Sequence, residues 1–217
     1  IDIPTGKFAG NLFAPVTLKA VAPAGYTFQG WVSGSGVGSQ QVIFDKGTNW
    51  TYYDRGSLDG TLWYAANYQP SNWKTGQAPL GFKLSGIVTT ISYGNSSNNK
   101  YPTSYYRKSF TLKEKPANND VFTLNYEVDD GFIVYVNGTE VERFNMPTGR
   151  VDFNTYSTTY ADQVPLDGSI SIPVNLLNKG ENVIAVEVHN CSATSSDIYW
   201  DAQLMGTVSS QDVTYYS

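Results

Sequence analysis

Cys191 and His189 are the chain's single cysteine and single histidine, two positions apart. On a strand, residues at that spacing share a face about 7 Å apart, too far for a hydrogen-bonded nucleophile and base. One of each also rules out an internal disulfide and a multi-histidine metal site. The histidine therefore reads as a structural residue and the cysteine as a small buried hydrophobe. The sequence contains no Gly-x-Ser-x-Gly elbow, no Gly-x-x-x-x-Gly-Lys-Ser/Thr loop, no His-Glu-x-x-His and no Cys-x-x-Cys. What remains for hydrolysis is a pair of carboxylates about 5–9.5 Å apart across a cleft, as in glycosidases. Asp129 and Asp130 are adjacent, but in Asp-Asp-Gly they read as a turn, where carboxylates accept hydrogen bonds from nearby backbone N–H groups. The expectation is a protein that is not an enzyme.

Composition narrows the alternatives. Lys and Arg number 14 against 19 Asp and Glu, a net charge of −5, and charged residues make up only 15% of the 217. The electrostatic footprint of a nucleic-acid binder is missing. A hydrophobic fraction of 41% and an aromatic fraction of 14% are those of a chain able to bury a core. The sequence has no apolar run long enough for a transmembrane helix, so no membrane insertion is expected, and its start lacks the basic-then-apolar pattern of a signal peptide. It reads as a soluble chain, compatible with a mature or excised piece of something secreted.

The elements that would carry any site are strands. Short runs rich in β-branched and aromatic residues recur between clusters of Gly, Asn, Asp, Ser and Pro, with almost no helical period. Strands are expected over 16–21, 41–44, 105–112, 121–128, 132–136, 169–172, 182–189 and 198–205. In 121–128, Phe122, Leu124, Tyr126 and Val128 share one parity and Thr123, Asn125 and Glu127 the other, as in a half-buried antiparallel strand. Asn137-Gly138 is a hairpin signal, since both central residues of a type I′ turn need positive φ. Asp129-Asp130-Gly131 reads as a reversal between two strands, and Asn178-Lys179-Gly180 as another turn. The fold class is all-β, an antiparallel β-sandwich.

The first 46 residues read differently, with "PVTLKAVAPAGYTFQGW" (15–31) followed by the linker-like Ser33-Gly34-Ser35-Gly36. That segment resembles the repeat-like β-hairpin units of bacterial surface proteins, which implies a small N-terminal hairpin appendage, the tail of a preceding domain, over 1–46. From there on, "NWTYYDRGS" (49–57), "SNWKTGQAPLGF" (71–82), "YYRKSFTL" (105–112), "DDGFIVYVNGTEVERFNMPTG" (129–149), Tyr160-Ala161, "NLLNKGENVIAVEVHN" (175–190) and "SSDIYWDAQL" (195–204) follow in order. This ordered set resembles the galactose-binding-domain-like jelly rolls of bacterial secreted and surface proteins, similar in fold to the sugar-binding domain of family 2 glycoside hydrolases. The resemblance implies a jelly-roll domain over 47–217. It also implies an accessory module of a secreted or cell-surface protein, with carbohydrate or neighbouring domains as partners.

Strand parity then suggests where a sugar would sit. Sugars are held by aromatic rings against their C–H faces and by planar polar groups on their hydroxyls. Tyr105 and Arg107 lie opposite Tyr106 and Phe110. Glu187 and His189 lie opposite Val186 and Val188, and Tyr199, Asp201 and Gln203 lie opposite Ile198, Trp200 and Leu204. In the resembling fold these strands share one sheet, so Arg107, Glu187, His189, Tyr199 and Asp201 are the expected carbohydrate site. The bland alternative is an Arg107–Glu187 cross-strand ion pair on a solvated face. Most other motif residues have structural readings: Trp73 and Leu80 as core or loop anchors, and Asn145-Met146-Pro147 as a loop across the end of the sandwich. No cofactor is expected. Structural calcium is compatible with the resembling superfamily, with Asp54, Asp59, Asp197 and Asp201 as candidate donors but no contiguous calcium loop. Carbohydrate binding is the leading function, and a structural spacer or protein-docking domain without a small ligand is the alternative.

Overall fold

The computed structural model describes residues 39–160 and 165–208, together with the backbone of two short strands at 31–33 and 214–216. In chain order the strands are β1 (Trp31–Ser33), β2 (Ser39–Phe44), β3 (Asn49–Tyr53), β4 (Lys74–Gln77), β5 (Leu80–Phe82), β6 (Thr89–Thr90) and β7 (Thr103–Leu112). They continue with β8 (Val121–Asp129), β9 (Gly131–Val136), β10 (Thr139–Phe144), β11 (Leu166–Ile172), β12 (Gly180–His189), β13 (Ile198–Val208) and β14 (Thr214–Tyr216). The chain divides into two units, one of residues 1–34 with 211–217 and one of residues 35–210. In the smaller unit β1 pairs antiparallel with β14. The N-terminal hairpin expected from the sequence lies, through residue 30 and over 34–38, outside the described residues, as does Ala161.

The larger unit is an all-β sandwich. Its first sheet has the order β10-β9-β12-β7-β3-β4; its second has β11-β8-β13-β5-β6, with β2 also paired to β13. Residues 39–46 lie in this sandwich, N-terminal to the boundary read from the sequence, because β2 pairs along β13 and Phe44 is buried. The alternation in β8 works as expected: Phe122, Leu124, Tyr126 and Val128 enter the core against Tyr106, Phe110, Val134, Val136, Val186 and Val188. Aromatic rings fill the middle. Trp50 meets Trp200 edge-on at 5.6 Å, Phe132 meets Trp200 at 5.8 Å, and Phe44 meets Trp50 at 5.8 Å. Such offset and edge contacts add to the area these rings bury.

Turn chemistry explains the connections. Asn137 and Gly138 have φ of 50° and 93°, as a type I′ turn needs, and close the β9–β10 hairpin. Asp129-Asp130-Gly131 joins two strands and carries the chain from β8 in the second sheet to β9 in the first. β5 reaches β13 only because residue 81 is glycine: a Cβ there would lie 2.0 Å from the Ile198 carbonyl oxygen. β3, β4, β5, β6, β10 and β14 are not among the strands expected from the sequence, most of them being too short to show a period. β12 is buried from Val183 through His189 on both faces, so something covers the outer side of the first sheet. Among the described residues no helix is long and apolar enough to cross a membrane.

Candidate functional site

The cover is the segment 54–73, which leaves β3 and crosses the outer face of the first sheet. Alternation leaves Tyr105 and Arg107 on the outer side of β7, Ala185, Glu187 and His189 on that of β12, and Tyr135 on that of β9. Register sets Arg107 opposite Ala185, and Tyr105 opposite Glu187. Leu58 and Trp63 descend onto Tyr105 and Ala185 to form a second apolar cluster. Tyr53, Tyr64, Tyr68, Trp73, Tyr135 and Phe153 pack around it, partly exposed. Trp63 is central, 4.8 Å from Tyr105, 5.6 Å from Tyr64 and 5.6 Å from Tyr135. Tyr64 stacks on Tyr135 at 4.6 Å, while Trp73 lies 5.7 Å from Tyr53 and 6.1 Å from Tyr68.

Polar groups thread this cluster. The Arg107 guanidinium donates through Nη1 to the Trp63 carbonyl and lies 5.5 Å over the Tyr68 ring. Burial lowers its pKa, and the Tyr68 hydroxyl opposes that shift. Glu187 accepts a 2.7 Å hydrogen bond from the Tyr135 hydroxyl, whose own pKa is raised by burial and then by the Glu187 charge. His189 is fully buried. Its Nδ1 lies 2.8 Å from the Thr155 carbonyl and 3.1 Å from Thr103 Oγ1. Since the carbonyl only accepts and the Thr103 hydroxyl donates to the Phe153 carbonyl, Nδ1 carries the proton. Nε2 then faces Glu187 Oε2 at 3.4 Å.

The expected five-residue site is not one site. Arg107, Glu187 and His189 do share the outer face of the first sheet, but all three are largely buried, beneath 54–73 and 153–155. Tyr199 and Asp201 face outward as parity predicts, yet β13 belongs to the second sheet, so they lie on the opposite outer side of the sandwich. There they have structural partners. Asp201 accepts the Gly47 N–H at 3.1 and 3.0 Å and the Ala202 N–H at 2.8 Å, pinning the β2–β3 turn to β13. Tyr199 donates to Glu127 at 3.3 Å, and Glu127 pairs with Lys46. Burial pushes Asp201 up to about 6 against those N–H donors, and burial with the Glu127 charge raises Tyr199. The alternative Arg107–Glu187 ion pair does not form either, since among the described residues Arg107 has no carboxylate partner.

The four candidate calcium donors are likewise separated and engaged. Asp54 accepts from Lys74 Nζ at 2.9 Å and the Ser92 N–H at 2.7 Å. Asp59 accepts the Phe153 N–H, and Asp197 the Ser196 hydroxyl. Among the described residues no three His, Cys, Asp or Glu side chains converge as a metal site. Asp54 is 1% exposed at its side chain, so Lys74→Ala, leaving that carboxylate one N–H, is expected to cost about 1–3 kcal/mol. Urea unfolding measures this, and adding Asp54→Asn should recover most of the loss.

Asp129 and Asp130 are sealed from any substrate, at 0% and 1% exposure. Asp130 accepts the Cys191 N–H at 2.8 Å, from just past the end of β12. Among the described residues neither Asp129 oxygen accepts a hydrogen bond from an N–H or O–H. Burial and then the adjoining Asp130 carboxyl push Asp129 up to about 8. Asn145 holds the loop across this end, as expected, donating to the Asp130 and Thr159 carbonyls and accepting from Thr158 and Thr159. What the sequence reading missed is the ring set of 54–73. Its signal was there: Trp63, Tyr64, Tyr68 and Trp73 crowd a segment with no strand period, and rings so placed must pack on something.

No family model matches the chain, and no curated protein matches it in sequence. Solved structures match in fold. Over 77% of its length the chain is similar, at 16% identity and a TM-score of 0.50, to a β-glucuronidase of Bacteroides uniformis, of which it covers 18%. It is similar over 77% of its length, at 18% identity and a TM-score of 0.48, to a family 2 glycosyl hydrolase of Bacteroides cellulosilyticus, of which it covers 20%. The chain thus spans about a fifth of the length of these enzymes. At such identity the likeness is one of fold alone: a β-sandwich that matches one part of a much longer chain.

Proposed function

We propose that this chain is a non-catalytic accessory module of a larger secreted or cell-surface bacterial protein, and that it binds carbohydrate over segment 54–73 on the first sheet. The observation that carries the reading is the set of partly exposed rings of Tyr53, Tyr64, Tyr68 and Trp73 on the outer cluster, with the Arg107 guanidinium lying over one of them, Tyr68. Ring faces stack on the C–H face of a pyranose, and a fixed guanidinium gives its hydroxyls directional donors. The fold supports the reading by analogy only, since sandwiches of this kind form a fraction of sugar-processing enzymes. Tyr199 and Asp201 are not part of this proposal.

A second reading is favoured by the same rings' contacts with one another. If Tyr64 on Tyr135 and Trp73 on Tyr53 and Tyr68 are held by mutual packing, the patch is a docking surface or plain cover, and the module is a spacer. Calorimetric titration with neutral and acidic oligosaccharides separates the two. Carbohydrate binding predicts that Tyr64→Ala and Trp73→Ala each weaken affinity by about tenfold, a loss of the size one ring contact supplies. Absence of binding to every saccharide in the panel would leave the spacer.

A further inference from the structure

Lys100 and Arg107 are the buried cations of the described residues, and they are satisfied differently. The Lys100 ammonium donates to the Ser97 and Thr194 carbonyls. Arg107 makes one hydrogen bond, from Nη1 to the Trp63 carbonyl. Its Nε and Nη2 find no acceptor among the described residues, yet neither is sealed from solvent. Those two nitrogens form the side-on edge of the guanidinium, whose parallel N–H bonds match the two oxygens of a carboxylate. Arg107 itself is only 6% exposed, held from one side by the Trp63 carbonyl and across its face by Tyr68. A desolvated guanidinium without a counter-charge is an incomplete arrangement, because low surrounding polarity makes both its cost and its attraction for an anion larger than at a solvated surface.

From this geometry we infer that the ligand is an acidic saccharide, and that the Nε/Nη2 edge of Arg107 takes the carboxylate of a uronic acid residue whose ring lies on the neighbouring aromatic side chains. The inference rests on the carbohydrate reading above and names its ligand class. The chain's net charge of −5 opposes the approach of a polyanion, so selection works through one local bidentate contact rather than through bulk charge. The partly exposed rings around the cluster favour a sugar over an acidic peptide, since they add aromatic surface rather than further cationic partners.

The test titrates the wild-type chain with oligogalacturonate and oligoglucuronate and with their carboxyl-reduced, neutral counterparts, which keep the ring stereochemistry. At least one acid should bind about tenfold or more tightly than its reduced form. Arg107→Lys, which keeps the charge and loses the bidentate edge, should bring acid and neutral forms to within about threefold. Equal affinity of wild type for acid and neutral forms overturns the inference and leaves carbohydrate binding standing. No binding of either form overturns the inference, and the carbohydrate reading falls with it when the wider saccharide panel is also silent. A folded Arg107→Lys variant that keeps the full preference removes the assignment to this residue. A glutamate-rich peptide binding as tightly as the uronates assigns the edge to a protein partner instead and overturns the sugar ligand. Should Arg107→Lys fail to fold, the wild-type comparison of acid with reduced saccharide decides alone.

Discussion

Replacing Trp63 with alanine is expected to cost about 3–5 kcal/mol of stability, the range for removing a large buried ring. Trp63 is 5% exposed and touches Tyr64, Tyr105 and Tyr135, so its loss empties the middle of the outer cluster. For a chain of this length that corresponds to a fall in Tm of roughly 6–20 °C. The damage should not stop at the cavity. The backbone carbonyl of Trp63 holds Arg107, and the ring packs 54–73 onto the sheet, so the segment should become accessible to protease. Differential scanning calorimetry and limited proteolysis read the two effects. A loss under about 1 kcal/mol with 54–73 still protected would mean that the segment is held chiefly by other contacts.

Asp129→Asn is expected to act in the opposite direction, stabilising the protein near neutral pH by a few kcal/mol, on the order of 2–4. In the folded chain Asp129 holds its proton to about pH 8, because burial and then the Asp130 carboxyl disfavour its charge. In the unfolded chain it gives that proton up near its ordinary value of 3.8. Between those values the folded state binds the extra proton, so stability falls as pH rises, by about 1.4 kcal/mol per pH unit from this group. The sign is the reverse of that for an ion-paired carboxylate. Asparagine keeps the shape without the titration and should flatten this slope, which urea unfolding at a series of pH values between about 4 and 8 measures. A variant less stable than wild type at neutral pH, with an unchanged slope, would show that Asp129 is accommodated as a charged group.

The division between what was legible in the sequence and what was not follows from the range of each signal. Alternation has a period of two and is carried by the strand itself, so the side on which Arg107, Glu187, His189, Tyr199 and Asp201 project could be read directly. Turn chemistry is as local, and Asn137-Gly138 closes a hairpin as its residue types demand. Which sheet a strand joins is decided by its pairing partners, far away in sequence. β12 lies between β7 and β9, while β13 pairs with β8, β5 and β2. That choice separates Tyr199 and Asp201 from the other three, although all five obey parity.

Cover is equally non-local. Polar residues on an outer parity predict a solvated face only if nothing lies above it, and here 54–73 does. That segment has no period because each ring packs where the sheet below offers space, Trp63 on Tyr105 and Tyr64 on Tyr135. The same limit applies to Asp129 and Asp130: their adjacency is plain in the sequence. Only the crossing from one sheet to the other buries both carboxyls together and raises the pKa of Asp129. The sequence by itself determined the fold class, the facing of each clear strand and the acidic, aromatic character of the chain, because these depend on neighbours along the chain. The tertiary structure decided which of those residues meet, which are covered and which charge is left without a partner, because these depend on surfaces brought together from distant segments.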